Sequence, residues 1–176
     1  MSARVNPNTR VVTVGVLVSF LFLAPGPHAT QVNGGSRQGR TAMMDMPQLR
    51  PLPTPQAVVD EHLDALNKGD WRRLMAQYPE DIELFLPHGL TVRGRTAVGE
   101  AFLQMTKPFK DGGLLGVTFT AEHVFVVGGT VSAQWRVDAD FLREPYRGAD
   151  AYVTRDGLLA AQVSTFEMTA LKALVK

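Results

Sequence analysis

The chain has 176 residues, with 18 basic and 17 acidic side chains and a formal net charge of +1, so it lacks the clustered basic excess of a nucleic-acid-binding surface. It contains no cysteine, which excludes disulfides, thiol catalysis and cysteine-ligated metals. Hydrophobic residues make up 45% of it, which lets one domain of ~120 residues bury a core without covalent staples.

Arg4 and Arg10 precede an apolar run over residues 11–24, which Pro25, Gly26 and Pro27 end, with Ala29 just beyond. A basic start, an apolar stretch and a small residue follow the order of a secretory signal peptide. Residues 1–29 are therefore expected to direct export to a secreted or periplasmic location. The run is short for a bilayer span, which takes ~20 apolar residues, and an uncleaved single-pass anchor is the second reading. No membrane contact is expected of the mature domain. A third reading starts translation near Met43 or Met44 and leaves the protein cytoplasmic. Residues 30–54 carry Gly34, Gly35, Gly39, Pro51 and Pro53 and read as a disordered linker.

The folded part is expected over residues 55–176. Thr54 caps a first helix with Pro55 at its first position. Val58, Val59, His62, Leu63 and Leu66 give it one buried face, and Gly69 ends it in the left-handed conformation. A second helix spans residues 70–78 with Asp70 as its cap, and Pro79 closes it. Two short strands follow, over residues 82–87 and 91–93, joined by a turn at His88 and Gly89. A third helix runs over residues 96–105 with Thr96 as its cap, and a Gly- and Pro-containing loop follows over residues 107–113. The remainder reads as all strand. Residues 115–127 and 131–141 alternate in polarity around Gly128-Gly129. Residues 147–154 and 158–168 flank Asp156-Gly157, a second two-residue hairpin signal. Helices packed to one side of an antiparallel sheet make an α+β class.

Three stretches carry a family likeness: Ala65-Leu66-Asn67-Lys68-Gly69-Asp70-Trp71, Tyr78-Pro79-Glu80-Asp81-Ile82-Glu83-Leu84, and Tyr146-Arg147-Gly148-Ala149-Asp150-Ala151-Tyr152. With Gly94-Arg95-Thr96 between them, they resemble, in order and spacing, the SnoaL-like and ketosteroid isomerase branch of the nuclear transport factor 2-like superfamily. The resemblance implies a cone-shaped fold, three N-terminal helices on a curved antiparallel sheet around an apolar pocket. It also implies a homodimer paired through an exposed sheet face. The implied chemistry is cofactor-free isomerase, cyclase or hydrolase activity on a small apolar molecule such as a polyketide, terpene or steroid-like ring. Fold alone does not fix function, so a non-catalytic ligand-binding or dimerisation module stays open beside the enzyme.

The resemblance also assigns positions. The ketosteroid isomerase tyrosine, five residues before the junction asparagine, corresponds to His62. That enzyme's protonated aspartate corresponds to Asp150. Its base, just before a proline, corresponds to Leu86, so steroid isomerisation by that mechanism is not expected. His62 reads either as a pocket donor or proton carrier or as a satisfied core histidine. Asp150 reads as a desolvated acid or base or as a partner for Arg147 or the backbone. His88 shares the parity of Leu84 and Leu86 and could replace the missing base; otherwise it is an exposed turn residue. Trp135 and Tyr152 read as pocket wall with Leu86. Asp138 and Asp140 share a strand face with Arg136 and read as a solvated or dimer-facing surface. His62, His88 and His123 match no metal-ligand spacing, so no metal is expected.

Overall fold

A computed structural model describes residues 45–176. The expected export segment and the first part of the expected linker lie outside the described residues. The element order is α1 (Pro55–Asn67), α2 (Trp71–Met75), β1 (Glu83–Leu86), β2 (Leu90–Arg93), α3 (Arg95–Met105), β3 (Thr118–Val127), β4 (Thr130–Asp138), β5 (Tyr146–Arg155), β6 (Leu158–Thr165) and α4 (Met168–Leu174). The class is α+β. The six strands form one curved, unclosed sheet in the order β2-β1-β6-β5-β4-β3. Pairing is antiparallel except between β1 and β6, which run parallel.

Local chemistry explains the helix starts. The Thr54 side chain accepts from Ala57 N at 3.1 Å, and Asp70 Oδ1 accepts from Arg73 N at 3.0 Å, each satisfying an otherwise orphaned donor. Gly69 takes φ +62° at the end of α1, as the sequence predicts. α3 differs from expectation: Gly94, not Thr96, is its N-cap, and no side chain caps it. Arg95 instead turns inward, donating from Nη2 to Pro47 O at 2.5 Å and to Met75 O at 2.9 Å. This changes the linker reading. Arg50 N donates to Ala76 O at 2.7 Å and Leu52 N to Gly157 O at 2.9 Å, and Met46 packs against the core. Residues 46–52 are thus held on the domain by backbone bonds that composition cannot register. The C-terminal reading is corrected too. β4 ends at Asp138, β6 ends at Thr165, and α4 follows where strand was expected.

Both hairpin turns form. Asp156 and Gly157 take φ +54° and +74°, the paired positive angles that match the twist of the flanking strands. α1 is tied to β3 by Asn67, whose side chain mimics a strand. It donates to Phe119 O at 2.9 Å and accepts from Phe119 N at 2.7 Å. Asn67→Ala leaves both backbone groups without this partner and is expected to lower stability by about 2 kcal/mol, read as a shift in the urea midpoint at constant slope.

Two apolar clusters fill the concave side. One gathers Val58, Leu74, Tyr78, Ile82, Phe102 and Leu159 where the helices meet the sheet. The other gathers Val117, Trp135, Val137, Leu142 and Tyr146 toward α4. The convex side carries a row running across five strands, Phe85, Val163, Ala151, Ser132 and Phe125, set side by side by the register. Phe125 is 65% exposed there and Val127 77%. Among the described residues, no helix is long and apolar enough to cross a membrane.

Candidate functional site

Between the two clusters lies a cavity of about 160 Å³. Its walls come from α1, α3 and all six strands, and Leu171 and Val175 reach it from the C-terminal segment. That segment is fastened at both ends. Tyr146 Oη donates to Glu167 O at 2.8 Å and accepts from Glu167 N at 2.6 Å. Arg143 N donates to Leu174 O at 2.8 Å and Lys176 N to Phe141 O at 2.9 Å. An engineered apolar cavity of ~150 Å³ takes a benzene ring, so this one is large enough for a ring-sized molecule.

The polar groups in this lining are few. Asp150 is its one carboxylate and His62 its one imidazole. Asp150 is 8% exposed and sits on the inward face of β5, opposite Ser164 of β6, while Tyr152 sits opposite Gln162. Tyr152 Oη donates to Asp150 Oδ2 at 2.9 Å, and Gln162 Nε2 donates to the same oxygen at 3.2 Å and to Ser164 Oγ at 3.1 Å. Burial raises the Asp150 carboxyl above its ordinary range, while Ser164, Tyr152, Trp135 and Gln162 partly oppose that. The cause is desolvation of the charged form in an apolar surround.

His62 is 2% exposed, and burial pushes its imidazole down to about 4. It is therefore neutral at pH 7. Its Nδ1 meets Tyr78 Oη at 2.8 Å. Among the described residues this nitrogen is the one hydrogen-bond partner of that fully buried phenol. A buried O–H needs an acceptor, so Tyr78 donates, Nδ1 accepts, and Nε2 carries the ring proton. Burial, and then the Asp150 charge, raises Tyr78 and Tyr152 well above the ordinary phenol range; both stay protonated as donors. The His62 and Tyr152 ring centroids lie 5.4 Å apart. His62 and Asp150 thus line one cavity, although no hydrogen bond joins them.

The depressed His62 value has a thermodynamic consequence. Between pH 6.5 and about 4 the unfolded chain binds a proton on His62 that the folded chain refuses, so stability rises with pH in that window. The group's contribution is complete above pH 6.5 and lost on acidification, with a total of about 3 kcal/mol. His62→Gln is expected to flatten that part of the curve when urea midpoints are compared at pH 7.5 and 4.5.

The remaining expected site residues divide. Leu86, Trp135 and Tyr152 line the cavity, and Leu86 leaves the position of the ketosteroid isomerase base without a carboxylate. His88 does not join the cavity lining. Pro87, His88 and Gly89 form a tight helical turn in which His88 takes φ +63° and lies exposed, so the period-2 parity stops at Leu86. His123 is exposed after a bulge in β3. Asp138 pairs with Arg136 at 2.8 Å on the surface. Among the described residues no group of His, Asp and Glu is arranged to hold a metal. Sequence reasoning missed Tyr78, Gln162 and Ser164. The last two were detectable only as polar residues at alternate positions of β6, with Val163 turned outward between them.

Several solved structures share this architecture. A candidate polyketide cyclase from Xanthomonas campestris pv. campestris is 21% identical over 69% of this chain and 96% of that one, with a TM-score of 0.55. A candidate ketosteroid isomerase from Kribbella flavida is 18% identical over 64% and 77%, with a TM-score of 0.54. An epoxide hydrolase of M. tuberculosis, described as LEH-like, is 17% identical over 68% and 88%, again with a TM-score of 0.54. Identities this low establish the fold alone. A search of curated proteins finds no match. The model of the SnoaL-like domain matches residues 59–162, from within α1 to within β6 and including His62 and Asp150, and the chain belongs to the SnoaL-like domain family.

Proposed function

We propose that this domain binds a small, uncharged apolar molecule in the cavity and that Asp150 moves a proton on it without a cofactor, as an isomerase, cyclase or hydrolase does. The observation that carries the reading is the Asp150 carboxyl, the one acid in a mostly apolar hollow, its pKa raised by burial. A base works best when its pKa approaches the working pH, and removal from water moves a carboxyl that way. Asp150 would take the proton directly, since the family position for a separate base is Leu86. The neutral His62, with its proton on Nε2, would donate to a substrate oxygen on which charge develops. The chemistry named for solved structures of this fold, polyketide cyclase, ketosteroid isomerase and epoxide hydrolase, is of this proton-moving kind and supports the class without choosing within it. The test is exchange of the α-protons of ring ketones in D₂O, followed by NMR, in wild type and Asp150→Asn.

A non-catalytic dimerisation role has its own supporting observation, the apolar convex row. Two copies paired through it would cover Phe125, Val127, Val153 and Val163, all of them exposed, as an apolar patch of this kind calls for. Native mass spectrometry at micromolar concentration is expected to show a dimer that Phe125→Glu converts to a monomer; a monomeric wild type rejects the pairing.

A further inference from the structure

The cavity lining is of two kinds. Beside His62, where it adjoins the first apolar cluster, the wall is helix and strand. Along the second cluster it is irregular chain over residues 112–117 and 141–142, together with Phe166, Leu171 and Val175 of the C-terminal segment. Residues 107–115 are stitched down, with Leu114 N donating to Met105 O at 2.7 Å and Leu115 N to Lys107 O at 3.0 Å. The C-terminal segment is built differently. It leaves the sheet at Thr165, where β6 ends, and lies beyond residue 162, where the match to the family ends. Its helix, α4, has seven residues, too few to hold in water by itself. Leu171, Leu174 and Val175 are half-buried at i, i+3 and i+4, while Thr169, Ala170 and Ala173 face solvent. One apolar stripe therefore rests on the second cluster. Among the described residues, the hydrogen bonds that tie the segment to the rest of the domain lie at its two ends. At one, the Tyr146 hydroxyl grips both the N–H and the carbonyl of Glu167. At the other, Val175 stands opposite Leu142 in a single antiparallel pair, flanked by the bonds from Arg143 N to Leu174 O and from Lys176 N to Phe141 O, with Lys176 Nζ on Asp140 O.

A short helix that is stable only while docked, tied at its ends, belongs to the low end of local stability. Resting on the cavity-binding part of the reading above, we propose that residues 167–176 form a lid over the cavity, hinged where Tyr146 grips Glu167 and latched where Val175 pairs with Leu142. Lifting it breaks the two backbone bonds of the latch, whose groups water takes up at the surface, and uncovers the wall at Leu171 and Val175. A molecule in the cavity touches those two side chains only when the lid is down. It therefore binds the closed state better than the open one, the differential contact that closure over a ligand requires. Closure also keeps bulk water from Asp150 while a proton moves.

The chain has no cysteine, so one engineered pair can lock and release the latch. Leu142 and Val175 face each other between their flanking hydrogen bonds, the arrangement in which opposed Cα atoms lie about 4.5 Å apart, within reach of a disulfide. The test is the double variant Leu142→Cys with Val175→Cys, with fluorobenzene as an uncharged, ring-sized probe. Its entry and exit rates are read by ¹⁹F exchange NMR. Oxidation of the pair is expected to slow both rates by about tenfold or more, and dithiothreitol to restore them. Leu174→Ala trims the apolar stripe at a residue outside the cavity lining. It is expected to speed entry and exit alike, by about fivefold, with Kd changed by less than about twofold. Equal rates in the oxidised and reduced pair overturn the lid. So does a pair that fails to join, because Val175 then does not rest on Leu142, or a folded Leu174→Ala whose entry rate equals that of the wild type. Fluorobenzene entering none of these forms overturns the lid together with the cavity reading. Ketone α-proton exchange that depends on Asp150 and runs equally fast in the oxidised pair overturns the lid alone. Oxidation that gates fluorobenzene, with no ketone exchange in any form, supports the lid and removes proton transfer.

Discussion

Asp150→Asn is expected to slow the α-proton exchange of a ring ketone by at least about a hundredfold, the lower end of what a positioned general base contributes. The substitution is nearly isosteric. Tyr152 Oη, now 2.9 Å from Asp150 Oδ2, still finds an amide oxygen there, so the fold should be kept. What disappears is the basic lone pair. Because burial raises this carboxyl above the ordinary range, exchange by the wild type should already fall away at a higher pH than an exposed aspartate would allow. Below that point the protonated acid can no longer accept. Asp138→Asn is the control, since Asp138 lies at the surface paired with Arg136, and its rate should equal that of the wild type. A wild-type exchange rate no faster than buffer, across several ring ketones, would remove proton transfer from the proposal and leave a binding module. Equal rates for wild type and Asp150→Asn would remove Asp150 from the chemistry.

A large loss of stability is expected from a small side-chain change, Gly148→Ala. A Cβ at position 148 would stand 2.4 Å from both Cζ2 and Cη2 of Trp135 and 2.9 Å from the backbone oxygen of Thr165. The benzo edge of the indole occupies the space over the glycine because no side chain projects there, and Trp135 lines the cavity. The new methyl cannot move, since β5 is hydrogen-bonded on both sides, so the ring must leave its place. Overpacking of this sort costs about 3 kcal/mol. Chemical denaturation should show that loss as a lower midpoint at unchanged slope. In a double-mutant cycle with Trp135→Phe, the smaller ring should recover part of the loss, a coupling expected only of residues in contact. A cost under about 0.5 kcal/mol, the range of an innocuous surface change, would mean that the indole does not rest on Gly148.

Residues acting within a turn or two of chain were legible in advance. Thr54 and Asp70 cap their helices, Gly69 ends α1, and both hairpin turns fall where glycine or aspartate permits positive φ. These outcomes depend on side chains meeting the backbone three or four residues away, so the local sequence contains both partners. Alternation likewise exposed the long strands, with inward Val131, Ala133, Trp135 and Val137 all buried. The family likeness added the order of elements and pointed to Asp150 and His62. Where local signals competed with tertiary contacts, the sequence misled. Thr96 has the chemistry of a cap, but Arg95 is drawn inward by Pro47 O and Met75 O, and the helix begins at Arg95 instead. His88 has the right parity for the cavity, but Pro87 starts a tight turn that swings it to the surface.

The sequence by itself determined the α+β class and the helices and strands as far as β6, and the family likeness pointed to Asp150 and His62. Tertiary structure alone decided what those groups meet. Tyr78 reaches His62 across 16 residues, and Gln162 reaches Asp150 across 12. The proton on His62 Nε2 follows from such a long-range contact. The physical reason is that a buried polar atom is defined by its partners and by its access to water, and both are set by distant segments that meet only when the sheet curves around the cavity.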